Sequence, residues 1–219
     1  MTKTIFALAV FLGLKLISLP LQAQIFVFDN TTNPGAGITG GFNDVEVGDE
    51  INLLGGATTI TEFTFKYYYN SAPGAKATVR FYDTTAPGGL PGNTLFTSAP
   101  LDLPASTSGS LTISGMSVPV PARIIWAVAF DTPSFGEVGL IAYNGVGIGD
   151  GPGQSRDDYW QNLGGPNAPA WTLRNNGLIN NYGVRLTAIP EPMAAPVVAG
   201  VSLLLFIGAR RWRKSSSRA

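Results

Sequence analysis

The chain has 219 residues, of which 45% are hydrophobic and 13% charged, so it is long enough for one domain with a core and too apolar for wholesale disorder. It contains no cysteine and no histidine, which excludes thiolate catalysis, Ser-His-Asp triads and ordinary zinc sites within this chain. The net charge is zero, but thirteen acidic and seven basic residues between positions 24 and 189 leave six net negative charges there, which argues against nucleic-acid binding.

The N-terminal segment has the order of a secretory signal peptide. Lys3 precedes an apolar run over residues 5–14, and Pro20 and the small residue Ala23 follow. This order predicts export through the Sec machinery, with residues 1–23 as the signal peptide that is removed. The alternative is that the segment forms a buried helix of the folded body.

The segment TTITEFTFKYYYN has a clear period of two. Phe63, Phe65, Tyr67 and Tyr69 fall on one face of it, and the residues between them, which are mostly polar, fall on the other. Such alternation is typical of a strand with one face in the core and one face towards solvent.

The segment RIIWAVAFD, residues 123–131, is apolar on both faces and therefore predicts a central strand that is covered on both sides. Shorter strand candidates are IFVFD, DVEVG, ATVRFYD, SLTISG, EVGLIAY, AWTLRN and NYGVRLTA. The connections between them, such as NSAPGA, TTAPGGLPGN, LPASTSGS and GIGDGPGQSRDD, are rich in the residues that form tight turns.

About eight to ten short strands separated by turn signals predict an all-β fold for residues 24–188. No apolar period of 3.6 extends over ten residues in this segment, so helices are not expected. An antiparallel β-sandwich with a jelly-roll-like arrangement is the favoured interpretation, and a closed β-barrel is the alternative.

Carboxylates are the remaining classical catalytic and metal-binding groups. Asp150, Asp157 and Asp158 lie on one glycine-rich stretch, where oxygen ligands, with Asn162, can hold calcium; a solvated turn is the plainer interpretation. A glycoside hydrolase needs two carboxylates that face each other across a cleft. The acids at predicted strand ends are scattered, and the sequence does not pair them: Glu62, Asp83, Asp131 and Glu137.

Aromatic residues provide a second kind of candidate site. Tyr68, Tyr82, Tyr159, Trp160 and Trp171 are candidates for partly outward-facing side chains. Aromatic rings on the face of a sheet can stack on sugar rings, and Tyr159, Trp160 and Trp171 are the candidates for this role. The alternative is that they fill the core and only their polar atoms reach the surface.

The C-terminal segment combines three features in a fixed order. Pro190, Glu191 and Pro192 come first, and residues 194–209 then form an uncharged, mainly apolar stretch. As a helix this stretch would extend about 24 Å, somewhat less than the roughly 30 Å of a membrane core, so one transmembrane helix is expected, and a helix of the folded core is the alternative. A basic cluster follows, which would stay on the cytoplasmic side of the membrane: Arg210, Arg211, Arg213 and Lys214.

A PEP tripeptide, an apolar helix and a basic end together resemble the PEP-CTERM sorting signal of exported bacterial proteins. The resemblance covers residues 189–214, and residues 215–219 form a short polar tail. It implies handling by an exosortase in the envelope of a Gram-negative bacterium, with a link to exopolysaccharide or biofilm matrix. The two prolines also predict a segment that neither helix nor sheet absorbs, so that a processing enzyme can reach it.

The middle of the chain is also similar to ectodomains that accompany this sorting signal. The likeness is carried by NDVEVGDEINLLGGATTITEFTF, PGGLPG and WTLRNN. It implies a β-sandwich ectodomain and implies no activity.

Together these features predict an exported envelope or extracellular-matrix protein that is held by its helix at the inner membrane before processing and then reaches the cell surface or matrix. A non-enzymatic structural or adhesive role without a cofactor, calcium aside, is the favoured hypothesis. The alternatives are a carbohydrate-binding module for exopolysaccharide and, more remotely, a glycoside hydrolase.

Overall fold

The structure, a computed structural model, describes most of the segment between residues 23 and 190. The described ranges are 23–32, 34–40, 45–55, 58–70, 74–131, 138–143, 158–164, 169–175 and 181–190. Their regular structure consists of strands and one short 3-10 turn, Pro87–Gly89. The strands are β1 (Ile25–Asp29), β2 (Pro34–Gly40), β3 (Glu46–Asn52), β4 (Thr58–Tyr69), β5 (Lys76–Tyr82), β6 (Thr94–Thr97), β7 (Leu101–Asp102), β8 (Ser106–Val120), β9 (Arg123–Asp131), β10 (Val138–Tyr143), β11 (Asp158–Asn162), β12 (Trp171–Asn175) and β13 (Val184–Pro190).

The strands form two sheets in which every described pairing is antiparallel. Sheet A has the order β1-β13-β4-β10-β2, and β8 also pairs with β4. Sheet B has the order β12-β11-β3-β9-β5-β6, and β7 also pairs with β5. The expectation of an all-β, antiparallel fold is therefore confirmed.

Strand β4 organises sheet A. One of its edges pairs with β13 and then β10, and the other edge pairs with β8 along most of its length. The face predicted to be apolar is buried, since Phe63, Phe65, Tyr67 and Tyr69 are each at most 2% exposed. The period of two thus identified correctly which face of β4 lies in the core.

Strand β9 has the same role in sheet B. It lies between β3 and β5, as its apolar character on both faces predicted. Trp126 and Val128 on one face are fully buried, and so is Ile125 on the other. A central strand that is covered on both sides explains this continuous apolar run.

The inner faces of the two sheets meet in one core. The ring of Phe63 on β4 lies 5.2 Å from that of Phe81 on β5 and 5.5 Å from that of Trp126 on β9. Since Phe63 belongs to sheet A and the other two to sheet B, aromatic contacts join the sheets directly. Two antiparallel sheets over a shared core are consistent with a β-sandwich.

Two stretches that the sequence assigned to turns, and one that it left unassigned, contain strand residues. Strand β8 begins at Ser106, inside the predicted turn LPASTSGS, and strand β2 covers the unassigned segment PGAGITG. Asp158–Asn162 forms β11, although Asp158 had been placed on a glycine-rich loop. In each case pairing with a neighbouring strand outweighs the local turn residues, which sequence periodicity alone does not register.

The last strand reaches into the predicted sorting segment. Pro190 pairs with Thr58, and the Thr58 hydroxyl donates a 2.7 Å hydrogen bond to the carbonyl oxygen of Ile189. The expectation that no sheet absorbs the PEP segment is thus wrong for Pro190. A proline at the final strand position leaves the preceding ladder hydrogen bonds intact.

Several sequence predictions concern parts of the chain outside the described residues. These are the signal peptide up to residue 22, the acids Asp150 and Asp157, and the motif residues Glu191 and Pro192 with the helix and basic cluster after them. Within the described residues, no helix has the length and apolar character needed to cross a membrane.

Candidate functional site

A cleft of about 500 Å³ opens on the outer face of sheet B, on the side away from the core. We call it the outer cleft. Its floor comes from β5 and the end of β11, one wall from the loop between β5 and β6, and the other from the start of β12. The lining residues that matter most are Arg80, Tyr82, Leu90, Thr94, Asn162 and Trp171.

A buried carboxylate lies behind the floor of the outer cleft. Glu46 on β3 is fully buried and forms an ion pair with Arg80 on β5, whose side chain is 15% exposed. The hydroxyl of Tyr82 donates a 2.8 Å hydrogen bond to Glu46, and the Asn162 amide lies 3.5 Å from the same oxygen, Oε2. Donors from two strands, β5 and β11, therefore satisfy a carboxylate whose burial alone would be costly.

The Tyr82 hydroxyl is held as a proton donor. Burial raises its pKa well above the ordinary value of 10, and the negative charge of Glu46 raises it further. Both causes disfavour a phenolate beside a carboxylate in a region of low dielectric. Tyr82 is consequently a fixed hydrogen-bond donor at any physiological pH.

Trp171 forms the aromatic part of the wall. Its ring packs edge-on against that of Tyr82, with ring centroids 5.3 Å apart, and it stays partly exposed. Tyr82 belongs to a second apolar cluster on the outer face of sheet B, together with Ile125, Ala127 and Trp160, and Trp171 packs against this cluster. Trp171 is therefore supported from below while part of its surface faces the cleft.

The loop wall is fastened by Asp83. Its carboxylate accepts hydrogen bonds from the backbone N–H and hydroxyl of Thr85, at 3.1 and 2.6 Å, and from the backbone and side-chain N–H groups of Asn93, at 3.0 and 2.9 Å. These bonds, those of Thr85 first, lower the pKa of Asp83 to about 2. A charged clamp thus closes the loop that carries Leu90 over the cleft.

Glycine is required where this loop passes Asp83. A Cβ atom added to Gly92 would overlap Oδ1 of Asp83 and come within 2.9 Å of the Thr85 hydroxyl oxygen. The Gly92 backbone N–H also donates to the Asp83 carbonyl at 2.9 Å. The close approach of backbone and carboxylate therefore depends on the missing side chain.

Asn162 fastens the opposite wall in a similar way. Its Oδ1 accepts hydrogen bonds from the backbone N–H groups of Gly164, at 3.1 Å, and Ala170, at 2.8 Å. Asn162 is 1% exposed and also faces Trp171 in the β11–β12 register. The same side chain that approaches Glu46 thereby fixes the segment leading into Trp171.

The outer cleft combines an apolar platform with hydrogen-bonding groups. Trp171 and Leu90 offer apolar surface, while Arg80 and Thr94 offer polar atoms close by. A concave, pre-formed site with a few placed polar groups suits a small amphipathic ligand. A sugar ring is such a ligand, because it has an apolar C–H face and a rim of hydroxyl groups.

The three predicted sugar-stacking residues have different environments. Trp171 lines the outer cleft, as a platform should. Trp160, at 6% exposed, belongs to the supporting cluster, so the expectation that it partly faces outward is wrong. Tyr159 packs edge-on against the buried Tyr182 at 6.1 Å between ring centroids, on the core side of β11.

The predicted acids that the structure describes lie on separate elements, and Glu137, like Asp150 and Asp157, lies outside the described residues. Glu62 lies on β4 in sheet A, Asp83 is committed to its loop, and Asp131 ends β9 opposite Lys76. Of the calcium candidates, Asp158 and Asn162 are described and lie at opposite ends of β11, where Oδ1 of Asn162 accepts hydrogen bonds from the backbone. Among the described residues no group of three or more potential metal-ligating His, Cys, Asp or Glu side chains occurs.

Sequence reasoning missed the centre of the site. Glu46 and Arg80 are separated by 34 positions, and nothing in the strand pattern joins them. The available signal was the charge itself, since Glu46 lies between Val45 and Val47, and Arg80 between Val79 and Phe81, where strands of a covered sheet seldom carry charge.

No protein-family model matches this chain, and no curated protein matches it significantly. What the outer cleft does must therefore be inferred from its own residues.

Proposed function

We propose that this is an exported, non-enzymatic protein of the Gram-negative envelope or extracellular matrix, with an adhesive role exerted through saccharide binding in the outer cleft. Export by the Sec machinery is supported by the order of charge and apolar residues in 1–23. Sorting by an exosortase is supported by Pro190-Glu191-Pro192 and the apolar and basic segments behind it. The protein would be anchored in the inner membrane until it is processed.

The body is proposed to be a jelly-roll-like β-sandwich. Two observations support this finer description. The sheets share one aromatic core, and the chain crosses repeatedly between them, with β3, β5 and β9 in sheet B and β4, β8 and β10 in sheet A. Alternation of consecutive strands between two sheets is the connectivity of such folds.

Saccharide binding rests on one observation, the partly exposed Trp171 packed on Tyr82 beside the Arg80–Glu46 pair. Trp171 would carry the apolar face of a sugar ring, and the Arg80 guanidinium and the Thr94 hydroxyl would bond its hydroxyls. Because hydrogen bonds already hold both walls of the cleft in place, ligand binding should cost little conformational entropy.

The non-enzymatic part of the proposal follows from the occupation of the nearby acids. Hydrolysis of a glycosidic bond needs a carboxylate free to act as acid and another free to act as base or nucleophile. Glu46 is held by Arg80 and Tyr82, and Asp83 is held by Thr85 and Asn93. Release of reducing sugar from a glycan panel by the purified protein would overturn this part.

Binding is tested by retention of the full-length protein, purified in mild detergent, on insoluble polysaccharides. We expect wild type to be retained and Trp171→Ala to lose retention by about tenfold. Phe26→Ala is the matched control, because Phe26 is an aromatic residue of sheet A that is 46% exposed and lies outside the cleft. Equal retention of wild type and Trp171→Ala would contradict the proposed site.

Export is tested separately by expressing the full chain with its own leader in a Gram-negative host that has an exosortase. Fractionation should find the protein in the membrane and then at the cell surface or in the medium. Replacing Glu191 and the two flanking prolines by alanine should hold it in the membrane fraction. A chain that stays soluble in the cytoplasm contradicts the export proposal and leaves saccharide binding to be judged by its own assay.

A further inference from the structure

We infer that the outer cleft selects uncharged sugar rings over acidic ones such as uronates, an inference that rests on the proposed saccharide binding. The reason is the arrangement of charge around the cleft. A positive residue is present in it, but its charge is already compensated, and a fixed negative charge lies behind one wall.

Arg80 is the charged residue among the described residues that line the cleft. Its guanidinium pairs with the carboxylate of Glu46, and because Glu46 is fully buried, solvent does not screen this interaction from the carboxylate side. The pair is neutral as a unit, and the neutral hydroxyl of Tyr82 completes it. To a ligand in the cleft, Arg80 consequently offers N–H groups rather than net positive charge.

A guanidinium has five N–H donors, so one carboxylate does not exhaust its hydrogen-bonding capacity. Sugar hydroxyls can use the remaining donors without changing the charge balance. An acidic sugar would instead have to lose the hydration of its carboxylate and would find no uncompensated cation among the described lining residues. That exchange is unfavourable, because a desolvated charge is stable only when it is paired.

Asp83 adds repulsion from the loop wall. Its carboxylate lies directly behind Gly92, a lining residue whose missing Cβ allows the approach. The four hydrogen bonds from Thr85 and Asn93 hold this carboxylate in place. An acidic ligand would therefore meet a fixed like charge across a short stretch of backbone.

The apolar part of the lining fits the same ligand class. Leu90 is 37% exposed at the cleft, and Pro91, Ala170 and Trp171 complete an apolar rim. An uncharged pyranose has C–H faces for this rim and hydroxyls for Arg80. The cleft thus matches the mixed character of a neutral sugar, and its described lining does not form the cationic surface that acidic polymers require.

The test uses pairs of oligosaccharides that differ only at C6, such as oligomers of mannose and mannuronate, glucose and glucuronate, or galactose and galacturonate. Binding to full-length protein in mild detergent is measured by calorimetry at low and high NaCl. We expect the neutral member of at least one pair to bind about tenfold more tightly or better, with little change on adding salt.

Tighter binding of the acidic members, weakened by salt, overturns the inference and leaves saccharide binding intact. Binding of neither member of any pair, together with no retention on insoluble polysaccharides, overturns the proposed function and the inference with it. Equal binding within every pair overturns the inference alone.

A charge placed on the cleft provides an independent check. Thr94 lines the cleft and is exposed, so Thr94→Lys should fold normally and should raise affinity for the acidic oligosaccharides about fivefold or more. Ser117→Lys is the control, since Ser117 is exposed on β8 of sheet A. If Thr94→Lys retains its melting temperature but gains no acidic binding, the ligand does not occupy this cleft as inferred.

Discussion

The hydroxyl of Tyr82 donates a 2.8 Å hydrogen bond to the fully buried carboxylate of Glu46, while the ring of the same tyrosine supports Trp171. Tyr82 thus joins the polar floor of the outer cleft to its aromatic wall. The hydroxyl bonds to Glu46 in the floor, whereas the ring packs against Trp171 in the wall. A substitution that removes only the hydroxyl therefore separates the hydrogen bond from the ring packing.

Tyr82→Phe should therefore weaken folding more than it weakens ligand binding. The lost hydrogen bond to a charged acceptor should cost about 1.5–3 kcal/mol of unfolding free energy, measured by urea denaturation. The ring that supports Trp171 remains, so retention on polysaccharide should fall less than in Trp171→Ala. Tyr68→Phe, at a half-exposed position on β4, should change neither quantity appreciably.

The raised pKa of Tyr82 also predicts a difference in alkaline solution. In the folded protein this pKa lies above the unfolded value of 10, so the contribution of the hydroxyl is fully present below pH 10 and decreases as the pH rises above it. The stability gap between wild type and Tyr82→Phe should narrow above pH 10. A gap that stays constant up to pH 12 would argue against a buried, carboxylate-bound hydroxyl.

Asp83→Asn should loosen the loop wall of the cleft. Asparagine keeps one acceptor oxygen for Thr85 but presents an amide to the Asn93 amide, where Asp83 accepts at 2.9 Å. We expect a loss of about 1–3 kcal/mol at neutral pH. The control is Asp102→Asn, which removes a solvent-exposed ion pair to Lys76 and should change stability far less than Asp83→Asn.

The effect of Asp83→Asn should depend on pH in a defined direction. The pKa of Asp83 is lowered from 3.8 to about 2 in the folded state, so its stabilisation is present above pH 4 and disappears as the pH falls towards 2. Thermal melts of wild type and variant should therefore converge between pH 4 and pH 2. Parallel curves over that range would contradict the clamp.

Much of the core could be predicted from the sequence, and the physical reason is local. Alternation in β4 assigned Phe63, Phe65, Tyr67 and Tyr69 to one face because side chains on a strand alternate with a period of two. Likewise, apolar residues on both faces of β9 indicated a central position. Neither inference needed to know which strands are neighbours.

A prediction of the candidate site, in contrast, requires the order of the strands in the sheet. Glu46 meets Arg80 because β3 and β5 flank β9. Glu46 also approaches Asn162, 116 positions further along the chain, because β11 pairs with β3. Periodicity identifies the faces of a strand and leaves the strand order open. For the same reason the sequence made Trp160 a candidate for a partly outward-facing side chain and did not reveal the buried cluster to which it belongs.

Phe63→Ala should be among the most destabilising single substitutions in the core. Phe63 is fully buried and its ring contacts Phe81 and Trp126 on the opposite sheet, so truncation leaves a cavity between the sheets. We expect a loss of about 3–5 kcal/mol, measured by urea unfolding. Phe26→Ala, at a position 46% exposed, should cost far less, and equal losses would mean that the two sheets do not share this core.

The end of β13 sets a limit on where the chain can be cut without damage to the body. Ala188 is fully buried in the core, and the hydroxyls of Thr61 and Thr58 donate to the carbonyls of Thr187 and Ile189 at 3.2 and 2.7 Å. A chain that ends after Pro190 keeps all these contacts. A chain that ends after residue 186 loses them and should melt at a clearly lower temperature or fail to fold.

The same contacts predict where processing occurs, if the PEP segment is handled as proposed. A cut on the C-terminal side of Pro190 leaves β13 paired with β4 over its full length, whereas a cut before Ala188 removes part of a central strand. Mass spectrometry of the released protein should therefore find its C-terminus at or beyond Pro190. A stable, soluble product that ends before Ala188 would show that the C-terminal end of β13 is dispensable for folding, contrary to the burial and hydrogen bonding of these residues.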